Sequence, residues 1–262
     1  MSQPHDDVIA QNRRMWNETA AVHARVDLDR LVAAFEAGDF STLDPIERRI
    51  FATLGIERGP DVAQLCCNNA RELISVKLAG AGRVTGFDLS EAFLAQGERL
   101  ARAAGVEVGL VAGSVYDIGP EHTGAYDIVY VTVGALGWLP DLARFIAIAA
   151  RLLRPGGALF IYEMHPILGL FEPDSGLAVR NPYFRREPYR FDGDADYLDP
   201  GVVITEPSYW FQHTLADVLG GVLAAGLKVE RFEEHPHDVS TIFAHLAPEG
   251  LLPMTYVLVA RR

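Results

Sequence analysis

Asp61-Val-Ala-Gln-Leu-Cys-Cys-Asn-Asn-Ala70 is the stretch from which the fold is read. It predicts a short buried strand, a tight turn and the start of a helix. A second strand, Arg83-Val-Thr-Gly-Phe-Asp88, follows and ends in an acid. Strand, turn, helix, strand, acid is the layout of a nucleotide-binding crossover. The turn offers backbone N–H groups and a helix N-terminus, and the acid receives ribose hydroxyls. Cys66, Asn68 and Ala70 stand where a Gly-x-Gly-x-Gly turn would place glycines. Glycine suits such a turn because it accepts positive φ and lets a ligand approach closely. Asn is the next most tolerant of left-handed geometry, and Cys66 and Ala70 are small, so the turn can form without glycine.

Outward from that stretch, short apolar strands alternate with helical patterns. Helices are expected over 69–79, 90–104 and 141–153, and strands over 61–66, 83–88, 106–111, 126–131 and 157–163. Ser90 is placed to cap one helix and Gly105 to end it. Upstream, apolar spacing from about Val8 to Phe35 predicts a helix, and Asp44-Pro45 opens another. Residues 166–212 break the rhythm with prolines, tyrosines and acids, and read as an insertion. Helix 214–225, strand 227–234 and an apolar tail over 254–260 then resume it. This order calls for a parallel sheet covered on both faces.

Composition narrows the partners. A chain of 262 residues with 49% hydrophobic content can bury one sizeable core. A net charge of −12 disfavours nucleic acid and anionic membranes as partners. No apolar run approaches the roughly 18 residues that span a bilayer. The N-terminal Met-Ser-Gln-Pro-His-Asp-Asp does not read as a secretory signal. Cys66 and Cys67, the only cysteines, are neighbours with no metal spacing and read as reduced, so a cytoplasmic setting is expected.

Four stretches together resemble the class I S-adenosylmethionine-dependent methyltransferases. Leu152-Leu-Arg-Pro-Gly-Gly-Ala-Leu-Phe-Ile161 looks like their helix-turn-strand signature, and Gly86-Phe-Asp-Leu-Ser90 like their acidic ribose motif. Ser114-Val-Tyr-Asp-Ile118 resembles their adenine loop and Tyr126-Asp-Ile-Val-Tyr130 their fourth strand. The ordered matches cover roughly residues 60–165. The resemblance implies a Rossmann-like, mostly parallel sheet of seven strands with helices on both faces, the last strand antiparallel. It implies S-adenosylmethionine as cofactor, in a pocket at the C-terminal ends of the first strands. It divides the chain into an N-terminal helical lid (1–58), a cofactor-binding core (59–165), a cap insertion (166–212) and a C-terminal completion of the core (213–262). The expected activity is in-line methyl transfer to a small-molecule acceptor, such as a secondary metabolite. The oligomeric state stays open, a homodimer being one option.

The same resemblance assigns site residues. Leu65, Cys66, Cys67 and Asn69 form the turn, Asp88 and Leu89 meet the ribose, Ser114 and Val115 the adenine, and Val131 and Thr132 end the fourth strand. Trp16 and His23, in the helix before the sheet, would cover the methionine end. Some have a plainer reading as well: Asp88 as a cap for the helix near Ser90, Trp16 as core. Trp138 follows the fourth strand, where methyl and acceptor should meet and an aromatic face can attract a sulfonium. Tyr209, Trp210 and His213 would border the acceptor too.

Glu163 and His165 are the candidates for catalysis. They lie at the C-terminal end of a strand, where such sheets place ligands, and alternation puts them on one side. His titrates near neutrality and can take a proton from an acceptor; alternatively it bonds the chain as it turns at Pro166. Glu163, His165, His213, His235 and His237 lack the spacing of a metal motif, so no metal is expected. Arg180, Arg185, Arg186 and Arg190 could hold an anionic acceptor or pair with nearby acids. Two rivals remain: a non-catalytic S-adenosylmethionine-binding protein, and an NAD-dependent oxidoreductase. The latter would be expected to keep glycines at its pyrophosphate turn.

Overall fold

The structure, a computed structural model, describes residues 5–173, 176–240, 242, 243, 246 and 250–262. Its centre is a seven-stranded sheet in the order β10-β11-β5-β4-β1-β2-β3. The strands are β1 (Val62–Leu65), β2 (Val84–Asp88), β3 (Gly109–Ala112), β4 (Tyr126–Val131), β5 (Leu153–Met164), β10 (Lys228–His235) and β11 (Thr255–Arg261). β1 to β5 pair in parallel, and β11 runs antiparallel to both β5 and β10. The expected fold class, with its antiparallel last strand, is therefore present.

The central strands are largely apolar because both faces are covered. Ala63, Leu65, Val129, Val131, Leu159 and Ile161 pack beneath α6 (Leu142–Leu152) and α7 (Leu215–Ala224). Val62, Ile128, Tyr130, Phe160 and Tyr162 face α3 (Pro45–Thr53) and α4 (Arg71–Leu78). Helix starts follow local chemistry. Asp44 Oδ1 accepts from the N–H groups of Ile46 and Glu47, both at 2.8 Å, and Glu47 returns the bond to Asp44 N at 2.8 Å. That reciprocal box, with Pro45 at the first position, opens α3. Ser90 Oγ accepts from Phe93 N and opens α5 (Glu91–Ala103).

Three boundaries differ from the spacing. The helix expected through Phe35 is α1 (Asp6–His23), a π turn (Ala24–Leu28) and α2 (Asp29–Glu36). Asp27 and Leu28 in that turn, and Leu31 after it, line a cavity described below. β3 begins at Gly109 rather than 106, because Val106 N still bonds Ala101 O at the helix exit. β5 begins at Leu153, before the Arg-Pro-Gly-Gly turn.

The described residues of 166–212 fold back over the C-terminal ends of the parallel strands. They hold a short 3-10 turn (Pro166–Leu170) and two ribbons. β6 (Tyr189–Phe191) pairs with β9 (Ser208–Trp210), and β7 (Asp194–Ala195) with β8 (Val203–Ile204). α1 is tied to this segment. The Asn12 side chain bonds both Tyr209 N (2.8 Å) and Tyr209 O (2.9 Å), and Glu18 accepts from Thr205 N and Glu206 N. Two segments far apart in sequence thus close one roof over the sheet.

Candidate functional site

The turn after β1 is built as its position in the crossover requires. Cys66, Asn68 and Ala70 take φ values of +57°, +51° and +57°. These are the three positions where glycines would stand, and left-handed backbone at non-glycine residues concentrates at functional sites. Asn69 N bonds Asn68 Oδ1 at 2.8 Å, and Asn68 N bonds Asp88 Oδ2 at 2.7 Å. Asp88 Oδ1 accepts from Ser90 N at 2.9 Å. Asp88 therefore ties the turn to the start of α5 while remaining in the cavity wall. Its carboxyl is pushed up to about 6 by burial, against the pull of the backbone N–H groups it accepts from. A Cβ on Gly86 would lie 2.6 Å from Cys67 Sγ, so glycine there lets the turn seat against β2.

Over this turn lies a cavity of about 540 Å³. Of the expected cofactor residues, Trp16, His23, Cys66, Cys67, Asn69, Asp88, Leu89, Ser114, Val115 and Thr132 line it. Leu65 and Val131 do not. Strand alternation turns both into the core beneath α6 and α7, where each is fully buried. Asn68 lines the cavity too, and Asp27, Arg71, Glu72, Tyr116 and Tyr197 do so without having been assigned a site role by sequence. Arg71 is the only Lys or Arg in the described wall, and its Nε lies 2.6 Å from Glu72 Oε1. Ser114 Oγ accepts from Tyr116 N, capping the turn Val115–Asp117.

A second cavity, of about 500 Å³, adjoins the first. Trp16, Trp138 and Trp210 line both. Trp16 and Trp138 meet edge-on at 4.9 Å between centroids, and Trp138 and Trp210 at 5.1 Å. All three tryptophans of the chain thus stand at the boundary. Gly137 makes this possible, since a Cβ there would fall 2.2 Å from the Trp210 ring. His213 lines the second cavity. Its Nε2 donates to Leu139 O at 2.8 Å, and burial holds its pKa below the usual value. Tyr209 does not line it. It alternates away from Trp210 on β9, and its backbone serves Asn12 instead.

Glu163 and His165 both line the second cavity, with the Glu163 oxygens and His165 Nδ1 committed to backbone donors. The Glu163 carboxylate accepts from Gly134 N (2.7 Å), Ala135 N (3.0 Å), Leu136 N (3.2 Å) and Met164 N (2.8 Å). It clamps the segment that carries Trp138. Burial raises its pKa to about 7 in spite of those bonds. His165 Nδ1 accepts from Ile167 N at 3.1 Å, and Nε2 lies 3.0 Å from Glu234 Oε1. Burial lowers the His165 pKa while Glu234 opposes the shift. The histidine holds the chain where it turns at Pro166.

The arginines at 180–190 lie outside both cavities. Arg186 pairs with Asp217, Arg190 with Asp192, and Arg185 donates to Glu187 O. Among the described residues no three His, Cys, Asp or Glu side chains form a metal-ligating group, and no helix is long and apolar enough to cross a membrane.

The family model for the methyltransferase domain matches residues 62–157. A ubiquinone biosynthesis O-methyltransferase of Cronobacter sakazakii is 31% identical over 162 residues, 56% of this chain and 65% of that one. The chain spans about half the length of the curated relatives it matches. Among solved structures, an S-adenosylmethionine-dependent methyltransferase from Mesorhizobium loti superposes with a TM-score of 0.55 at 24% identity, covering 78% of this chain and 91% of that one. A geranyl diphosphate methyltransferase in complex with GPP and sinefungin gives 0.61 at 15% identity, covering 97% and 99%.

Proposed function

We propose that this chain, which carries a class I S-adenosylmethionine-dependent methyltransferase domain and fold, transfers a methyl group to a small-molecule acceptor held in the second cavity. The observation that carries the proposal is the adjacency of the two cavities across Trp16, Trp138 and Trp210. The cavity above the turn suits the cofactor of this family. Asp88 would accept from the ribose hydroxyls, Ser114 and Val115 would border the adenine, and Arg71 would meet the amino-acid carboxylate. A dinucleotide fits less well. Asp27, Glu72 and Asp88 line the same wall against one arginine, so two phosphates would meet more negative than positive charge.

The cofactor supplies a methyl on an electrophilic sulfonium whose leaving group is already activated. The protein's task is alignment and exclusion of water. Trp16 and Trp138 can shield the reacting centre, and an aromatic face stabilises nearby positive charge. Glu163 holds the Gly134–Leu136 backbone, and with it Trp138, in place. His165 fixes the turn beside it. Both act as positioning residues in this reading, because their lone pairs already accept backbone donors.

Oxygen acceptors agree with the names of the curated relatives. A diphosphate acceptor does not carry over from the structural neighbour, since no described Lys or Arg lines the second cavity. Incubation with methyl-labelled S-adenosylmethionine and a panel of phenols, amines and thiols tests the proposal. Label is expected in the acceptor, with one S-adenosylhomocysteine released per methyl. Tight S-adenosylhomocysteine binding with no label in any acceptor would contradict it and leave a binding protein.

A further inference from the structure

The second cavity is walled by rings, among them Trp138, Phe171, Tyr189, Trp210, Phe211 and Tyr256. Its charged groups are nearly all occupied. Glu163 is bound by four backbone N–H groups. Asp196 stands 3.3 Å from His23 Nε2, and Glu206 bonds Gln11 at 2.9 Å. Glu172 accepts from Asn181 Nδ2 at 3.0 Å. Asp194 sits on the exposed β7 strand at the rim. No described Lys or Arg reaches the wall. An anion would find no Lys or Arg there, and a cation would have to compete with the present neighbours of each carboxylate. Either charge would lose its hydration without compensation.

Four buried polar atoms in the wall have no hydrogen-bond partner among the described residues: His165 Nε2 and Asp196 Oδ2, which stand within ion-pair reach of Glu234 and His23, and two tyrosine hydroxyls. The hydroxyls are Tyr256 Oη and Tyr189 Oη. Tyr256 is fully buried on β11, opposite Glu163 in the register, and belongs to the sheet floor. Tyr189 lies in the cap ribbon, its ring under the Arg185 guanidinium at 4.2 Å. Buried hydroxyls without partners are rare, and each can both donate and accept.

We propose that the acceptor is a neutral ring compound bearing a hydroxyl or carbonyl oxygen, and that Tyr256, with Tyr189 from the cap side, selects it by hydrogen bonding that oxygen. The proposal rests on the reading of the second cavity as the acceptor site. A site whose buried polar groups are completed by the ligand rejects the analogue lacking that group far more strongly than an apolar site rejects a smaller one.

The test uses the full chain saturated with S-adenosylhomocysteine and four bicyclic probes in equilibrium dialysis: naphthalene, 2-naphthol, 6-hydroxy-2-naphthoate and 2-naphthylmethylammonium. The expected order places 2-naphthol about tenfold tighter than naphthalene and about 100-fold tighter than either charged probe. Tyr256→Phe should remove the preference for 2-naphthol over naphthalene, with S-adenosylhomocysteine affinity unchanged as the control for folding. A charged probe that binds as tightly as 2-naphthol overturns the proposal, as does a preference that survives in Tyr256→Phe and Tyr189→Phe. A chain that binds no S-adenosylhomocysteine removes the methyltransferase reading and this inference together. Cofactor binding with the wrong probe order removes this inference alone.

Discussion

Cys66, Asn68 and Ala70 hold left-handed backbone without being glycine. Such geometry costs on the order of 1–2 kcal/mol for a residue with a Cβ. A turn kept at that cost, with Asn68 N and Ser90 N both bonded to Asp88, presents one carboxylate to the cavity. Ribose hydroxyls donate to the ionised form, so cofactor binding favours ionised Asp88. Its pKa of about 6 in the free protein sets the window. Affinity should be full above that pH and fall as the pH drops through it. We expect S-adenosylhomocysteine to bind about tenfold more weakly at pH 5 than at pH 7.5. Asp88→Asn should bind weakly at both pH values and lose the slope. Equal pH slopes in the two proteins would assign Asp88 to holding the turn alone. The turn's conformation and the acid were legible in the sequence because spacing and residue size fix them. Leu65, Val131 and Tyr209 stand outside the cavity linings because the motif marks a segment, whereas strand alternation decides which of its side chains meets the cavity.

At the scale of elements, α3 carries a buried acid against the sheet. Glu47 is 4% exposed, accepts from the Tyr130 hydroxyl, and closes the Asp44 box. Burial raises its pKa to about 7 from an ordinary 4.5. The native state therefore keeps its proton where the unfolded chain has lost it. Stability from this group is present below about pH 4.5 and is lost as the pH rises toward 7. Glu47→Gln can accept from Asp44 N through its one carbonyl oxygen and donate its amide N–H to the Tyr130 hydroxyl oxygen, without the titration. Its advantage over the parent should be small at pH 5 and grow by on the order of 2 kcal/mol by pH 8, read from denaturant unfolding. A difference that stays constant across that range would mean that Glu47 carries no burial penalty. The starts of α3 and α5 were legible because capping chemistry is local. The break of the first helix into a π turn and the late start of β3 were not, since tertiary contacts place them.

For the molecule as a whole, the alternation of apolar strands and helices sufficed for the sheet, and the resemblance carried by four ordered motifs for its seven strands and antiparallel end; the strand order came from the structure. The roof was only half legible. The insertion announced itself by composition, but its clasp on α1 through Asn12 and Glu18 joins residues nearly 200 positions apart, beyond any local pattern. Tyr256 illustrates the same limit: it sits in an apolar tail that reads as core, and only the register of β11 against β5 brings it to the cavity floor. The two adjoining cavities are likewise a product of that closure. Calorimetric titration of the purified chain with S-adenosylhomocysteine, and in parallel with NAD, bears most directly on the claim that the turn and Asp88 hold a methyl donor. Saturable one-to-one binding of S-adenosylhomocysteine with no heat from NAD is the expected result. Selective binding of NAD, or no binding of S-adenosylhomocysteine to folded protein, would contradict it.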